Sequence, residues 1–273
     1  MADCGQPLPI PNLSPVLNSS LERQIASAAR SVEEARRIAY RDTTRLGDLV
    51  ENINVLAELR QQEGDFRKAE SLYREALYRI QDTKNPDGEL TVGVYSLLAY
   101  LYDRWGKHAE AAEFYQKALD LGAQLGINDA DKVATVKNNL AMIHKNMRDM
   151  DKASQYYNEA LVEFRRAHGE NSPKVASVYN NLGVLHYQQM EVEKALDMHL
   201  KALRIRESAD ARELEPGDLS QSYINLGAVY KALGEFQKAH ESVEKARTLS
   251  ANQGDSGMPP RRRSAALLLD KTA

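Results

Sequence analysis

Three asparagines, Asn139, Asn181 and Asn225, recur at intervals of 42 and 44 residues along this 273-residue chain. A carboxamide both donates and accepts hydrogen bonds. A row of carboxamides along a groove can pair with the N–H and C=O groups of an extended peptide, whatever its side chains. The same row can instead bond neighbouring helix backbones and fix how repeated units pack, and residue type alone leaves both roles open. His144 and His186 also share a repeat position, 42 residues apart, and two stacked histidines could seed a metal site. Tyr102 and Tyr230 occupy that same position, which favours packing over metal binding. No carboxylate pair, nucleophile constellation or Gly-rich phosphate loop stands out, so neither enzyme chemistry nor a cofactor or metal is expected. Ser264 follows Arg261-Arg262-Arg263 and is a candidate phosphorylation site of the basophilic kind; a nuclear signal and a solvated charge run are the other readings of that segment.

The elements that position these residues follow from an internal repeat. Ala69, Ala111, Ala153, Ala195 and Ala239 recur at intervals of 42, 42, 42 and 44 residues. Thirteen residues before each stands a leucine (Leu56, Leu98, Leu140, Leu182, Leu226), always followed by Ala or Gly. Seven residues after each stands another alanine: Ala76, Ala118, Ala160, Ala202, Ala246. A fixed period in this range means stacked supersecondary units, none of which can bury its apolar face alone. Within each unit apolar residues fall at i, i+3, i+4 and i+7, the helical spacing, and strand signals are absent. Gly64, Gly106 and Gly234 sit five residues before the repeated alanine, where a left-handed glycine can end one helix and let the next begin. Arg148 and Met190 hold that place in the third and fourth units, so those turns are expected to be strained or differently built. Between units, Ser172 as N-cap with Pro173 behind it is a clean helix start.

The resulting organisation is an extended or disordered lead over residues 1–18, then a capping helix over 19–41 with Ser19 and Ser20 as N-cap hydroxyls. Five repeats follow at about 42–84, 85–126, 127–168, 169–212 and 213–252, and a flexible tail occupies 253–273. With 42% hydrophobic residues the chain can fold unaided, and a net charge of −3 leaves no basic excess for nucleic acid. One cysteine, Cys4, excludes an internal disulfide and fits a reducing compartment. Neither a secretory signal nor a stretch of about 18 apolar residues is visible, so no membrane insertion is expected and the cytoplasm is the expected setting.

Small residues at the eighth and twentieth places of each unit, with large ones at the fourth, seventh, eleventh and twenty-fourth, resemble the tetratricopeptide repeat. That resemblance implies an all-α superhelical solenoid of antiparallel helix pairs. The usual unit has 34 residues and this one 42, roughly one further turn per helix. Asn138-Asn139-Leu140-Ala141, Asn180-Asn181-Leu182-Gly183 and Asn225-Leu226-Gly227 are similar to the kinesin light chain type, as is the connection from His168 to Ala176. Val55 and Leu97 stand where the second asparagine belongs in the first two units, and the long heptad region of that family is lacking.

The resemblance implies that the first helix of each unit lines a concave groove and that asparagines at this place hold a ligand backbone. With the repeated alanine at position 20, positions 2, 5, 6, 9, 12 and 13 face outward. The implied peptide-binding residues are Asn138, Asn139, Met142, Lys145 and Asn146, then Asn180, Asn181, Val184, Tyr187 and Gln188, then Asn225 and Lys231. Such a groove suits an extended peptide with apolar anchors and an acidic residue, or a partner domain. The basic residues of a carboxylate clamp are missing from position 2, so chaperone tails are not the expected ligands. The expected role is a non-catalytic adaptor or scaffold. The alternatives are a structural self-associating scaffold, or a regulatory protein that senses a peptide. No helix follows the last unit as a cap, so the leucines Leu267, Leu268 and Leu269 are expected to fold back on it or the open end to form a homodimer.

Overall fold

In the computed structural model the described residues run from 15 to 254, apart from 211 and 216. The tail with Arg261, Ser264 and the leucines, and most of the expected lead, lie outside them. The described residues form eleven α-helices and one 3-10 turn, with no strand among them. No described helix is long and apolar enough to cross a membrane.

The chain divides into two compact units, one ending at Leu125 and the other beginning at Gly126. The first contains α1 (Pro15–Arg41), α2 (Leu46–Glu63), α3 (Phe66–Gln81), α4 (Gly88–Arg104) and α5 (His108–Gln124). The second contains α6 (Ala130–Asn146), α7 (Met150–His168), α8 (Pro173–Gln188), α9 (Val192–Ser208), α10 (Asp218–Ala232) and α11 (Phe236–Gly254). Helices pair in succession, α2 with α3, α4 with α5, α6 with α7, α8 with α9 and α10 with α11.

Helix α1 begins earlier than Ser19 and Ser20, which lie inside it and do not cap it. Pro15 is the first described residue of this helix.

One turn joins the helices of every pair. Gly64, Gly106 and Gly234 adopt φ of 89°, 77° and 77°, and Arg148 and Met190 adopt 65° and 61°. The next N–H reaches back to a carbonyl five residues earlier each time: Asp65 to Arg60, Lys107 to Tyr102, Asp149 to His144, Glu191 to His186 and Glu235 to Tyr230, all at 2.8–2.9 Å. This is the Schellman arrangement. The third and fourth turns are therefore strained and not differently built, since a side chain in this region costs about 1–2 kcal/mol. Asp65 and Asp149 then cap the second helices through the N–H groups of Lys68 and Lys152. Ser172 caps α8 through Val175 N–H, with Pro173 next to it.

The pairs close over small residues. Ala69, Ala111, Ala153 and Ala195 are fully buried, and so are the alanines Ala57, Ala99 and Ala141 of the facing helices. Tyr73, Tyr115 and Tyr157 fill the space between them and are 0–1% exposed.

Candidate functional site

The asparagine-bearing stripe lies on α6, α8 and α10, all in the second unit. Successive first helices of the pairs face one another there, and the carboxamides meet across each junction. Asn181 Nδ2 donates to Asn138 Oδ1 at 3.0 Å, and Asn225 Nδ2 donates to Asn180 Oδ1 at 2.7 Å. Asn225 also accepts from Gln221 Nε2 at 2.9 Å. The contact is diagonal: position 5 of one pair meets position 6 of the next, because packed helices cross at an angle. Asn181 and Asn225, at position 6, thus each bond the asparagine at position 5 of the preceding pair. The four asparagines of these two bonds are half-buried and keep further donor or acceptor capacity.

The remaining stripe residues surround this ladder. Asn139, Met142, Lys145 and Val184 are half-buried. Asn146, Tyr187, Gln188 and Lys231 are exposed, and Ile224 adds an apolar side chain that is 47% exposed. Val162 and Met190 are more open still, but they stand on a second helix and a turn.

Behind the ladder lie polar groups that the residue pattern did not single out. Tyr157 is fully buried and His199 is 1% exposed. Among the described residues, neither Tyr157 Oη nor His199 Nδ1 has a hydrogen-bond partner. Burial, reinforced by the positive charge of Arg206, pushes the His199 pKa down to about 4, so the ring is neutral at pH 7. His199 packs directly on Gly183: a Cβ there would stand 2.6 Å from the ring. Arg206, 3% exposed, ties α9 to α10 through the carbonyl of Asp218 at 3.0 Å, the Asp218 carboxylate at 3.2 Å and Ser222 Oγ at 2.6 Å. Position 31 holds Ile80, Gly122 and Phe164 in the earlier pairs, so a register comparison exposes this buried cation.

The two histidines of position 11 each belong to their own turn. His186 Nδ1 lies 2.6 Å from Glu191 and His144 Nδ1 3.4 Å from Asp149, in both cases the acid that opens the next helix. Burial lowers the His144 pKa, and His144 stacks on Tyr156 with ring centroids 5.5 Å apart. No group of three or more metal-ligating side chains gathers among the described residues.

The tetratricopeptide repeat model matches residues 49–123 and 132–208, and a second model of the same repeat matches 220–253. The chain is similar to BtubC (BKLC) from P. vanneervenii, whose crystal structure is 58% identical over 93% of this chain and 99% of that one, with a TM-score of 0.81. It shares its fold with nearly identical TPR-like repeats of a Podosopora anserina protein described as a kinesin light chain, at 18% identity and a TM-score of 0.62 over 76% of this chain and 96% of that one. RapI in its apo form gives 16% identity and a TM-score of 0.61, over 73% of this chain and 69% of that one. No curated protein matches.

Proposed function

Because this chain belongs to the tetratricopeptide repeat family, with repeats of the kinesin light chain-like type, we propose that it is a non-catalytic adaptor or scaffold that holds an extended peptide or a partner domain on the face built by α6, α8 and α10. The observation that carries this reading is the carboxamide ladder, Asn138 with Asn181 and Asn180 with Asn225, running across three successive helices. Carboxamides in that row can pair with peptide N–H and C=O groups regardless of ligand sequence. Met142, Val184, Tyr187 and Ile224 beside it offer apolar and aromatic contact, and Lys145 and Lys231 favour an acidic residue. The scaffold is built before the ligand arrives, so the ordering cost falls on the ligand. A cytoplasmic setting belongs to this reading and is supported by the single cysteine in 273 residues.

The test is an affinity capture from the native lysate with wild type beside the triple variant Asn139→Ala, Asn181→Ala, Asn225→Ala, both shown by circular dichroism to be folded. A partner held by the wild type and lost by the variant is the expected result. Equal recovery from both would sink the ladder as a binding site. Self-association then becomes the favoured reading, since Phe236 and Val243 on α11 are 70% and 50% exposed. A dimeric mass in solution would mark it.

A further inference from the structure

Asn138 and Tyr157 of the third pair stand 84 residues after Asn54 and Tyr73 of the first, and Asn180 and His199 of the fourth stand 126 after them. These are three copies of one pair of places. In the first copy the Tyr73 hydroxyl donates to Asn54 Oδ1 at 2.7 Å, with both side chains buried. In the other two the asparagine bonds outward to the next helix. The groups it could have met inside, Tyr157 Oη and His199 Nδ1, lack a hydrogen-bond partner among the described residues. The neighbouring repeat accounts for the difference. Position 6 of the second pair is Leu97, which offers Asn54 no donor, whereas the fourth and fifth pairs offer Asn181 and Asn225.

A buried polar atom without a partner is destabilising. Here two such atoms stand at the same places relative to two asparagines that are bonded elsewhere. We propose that the ladder is exchangeable: the main chain of an extended peptide takes over the carboxamides of Asn181 and Asn225, and Asn138 and Asn180 turn inward onto Tyr157 and His199. Bond is traded for bond, so displacing the ladder leaves no carboxamide of position 5 stranded. Tyrosine serves as donor to the carboxamide oxygen, as Tyr73 already does. A neutral imidazole nitrogen serves as donor or acceptor, and a carboxamide can meet either. The ligand in this scheme rests on the peptide-groove reading, but the exchange itself can be tested without any ligand.

Asn181→Ala deletes the ladder donor and so imitates its capture by a peptide. Tyr157→Phe deletes the inward partner while keeping the ring. Tyr157→Phe is expected to leave the melting temperature of the otherwise wild-type chain unchanged or slightly raised. In the Asn181→Ala background it is expected to lower it by about 2–4 °C. The same effect of Tyr157→Phe in both backgrounds overturns the exchange. A crystal structure of Asn181→Ala gives the direct view: Asn138 Oδ1 about 2.7 Å from Tyr157 Oη supports it. Asn138 still directed toward residue 181 overturns it. A failed lysate capture alongside a coupled cycle would remove the peptide groove and leave the exchange as a property of packing.

Discussion

The first and fourth helical pairs solve one problem in opposite ways. Asn54 is 3% exposed and closes on Tyr73 within its own pair. Asn180, at the same place, reaches across to Asn225 of the following pair and leaves a neutral histidine behind it. The two pairs also turn differently in composition, Gly64 against Met190, though the backbone bonds of the turn are the same. A residue's job in a repeat array is thus set by what the next repeat presents, and identical positions need not carry identical contacts.

The largest expected effect separates the pairs by pH. The unfolded His199 titrates near its ordinary value of about 6.5, and the folded one at about 4. Between those values the unfolded chain binds a proton that the folded chain does not. Stability therefore falls as pH drops through this window, by about 3 kcal/mol in full, and this group adds nothing further above it. Urea denaturation of His199→Phe beside wild type, at pH 7.5 and 4.5, should show the variant losing less on acidification. Parallel losses would place the histidine in a wetter site than its burial implies.

A smaller effect compares the tyrosines directly. Tyr73→Phe strands the carboxamide oxygen of Asn54 and should cost about 1–2 kcal/mol in urea denaturation, whereas Tyr157→Phe should cost close to nothing. Similar losses from the two would erase the distinction between inward and outward asparagines. The smallest effect concerns the turns. Met190→Gly and Arg148→Gly relieve left-handed strain at the expense of a looser unfolded chain. Each should gain roughly 0.5–1 kcal/mol, read as a rise of up to a few degrees in melting temperature. A fall in either would mean that the side chain contributes more than the strain removes.

The repeat itself, its helix pairs and the turn inside each pair were legible because alanine, leucine and glycine recur at fixed intervals and their spacing alone carries helix geometry. Ser172 and Pro173 announced α8 correctly for the same local reason. Ser19 and Ser20 misled, since a hydroxyl suits a cap only if nothing upstream is helical, and residues 15–18 are already in the helix. The candidate site was legible as a row of carboxamides. Its diagonal bonding was not, because crossing angles between helices are a tertiary property. Arg206 was overlooked because a single arginine in a charged helix looks solvated; only its register against Ile80 and Phe164 marks the place as interior.

The tight approach of His199 to Gly183 bears on how this sequence can drift. At these two places the first three pairs carry Ala57 with Tyr73, Ala99 with Tyr115 and Ala141 with Tyr157. An alanine introduced at 183 alone would put its methyl 2.6 Å from the imidazole, and truncating 199 alone would open a void. Neither mutation is a neutral step by itself, so the two positions are epistatic. A repeat rebuilt from the average of its siblings would have to import both residues together.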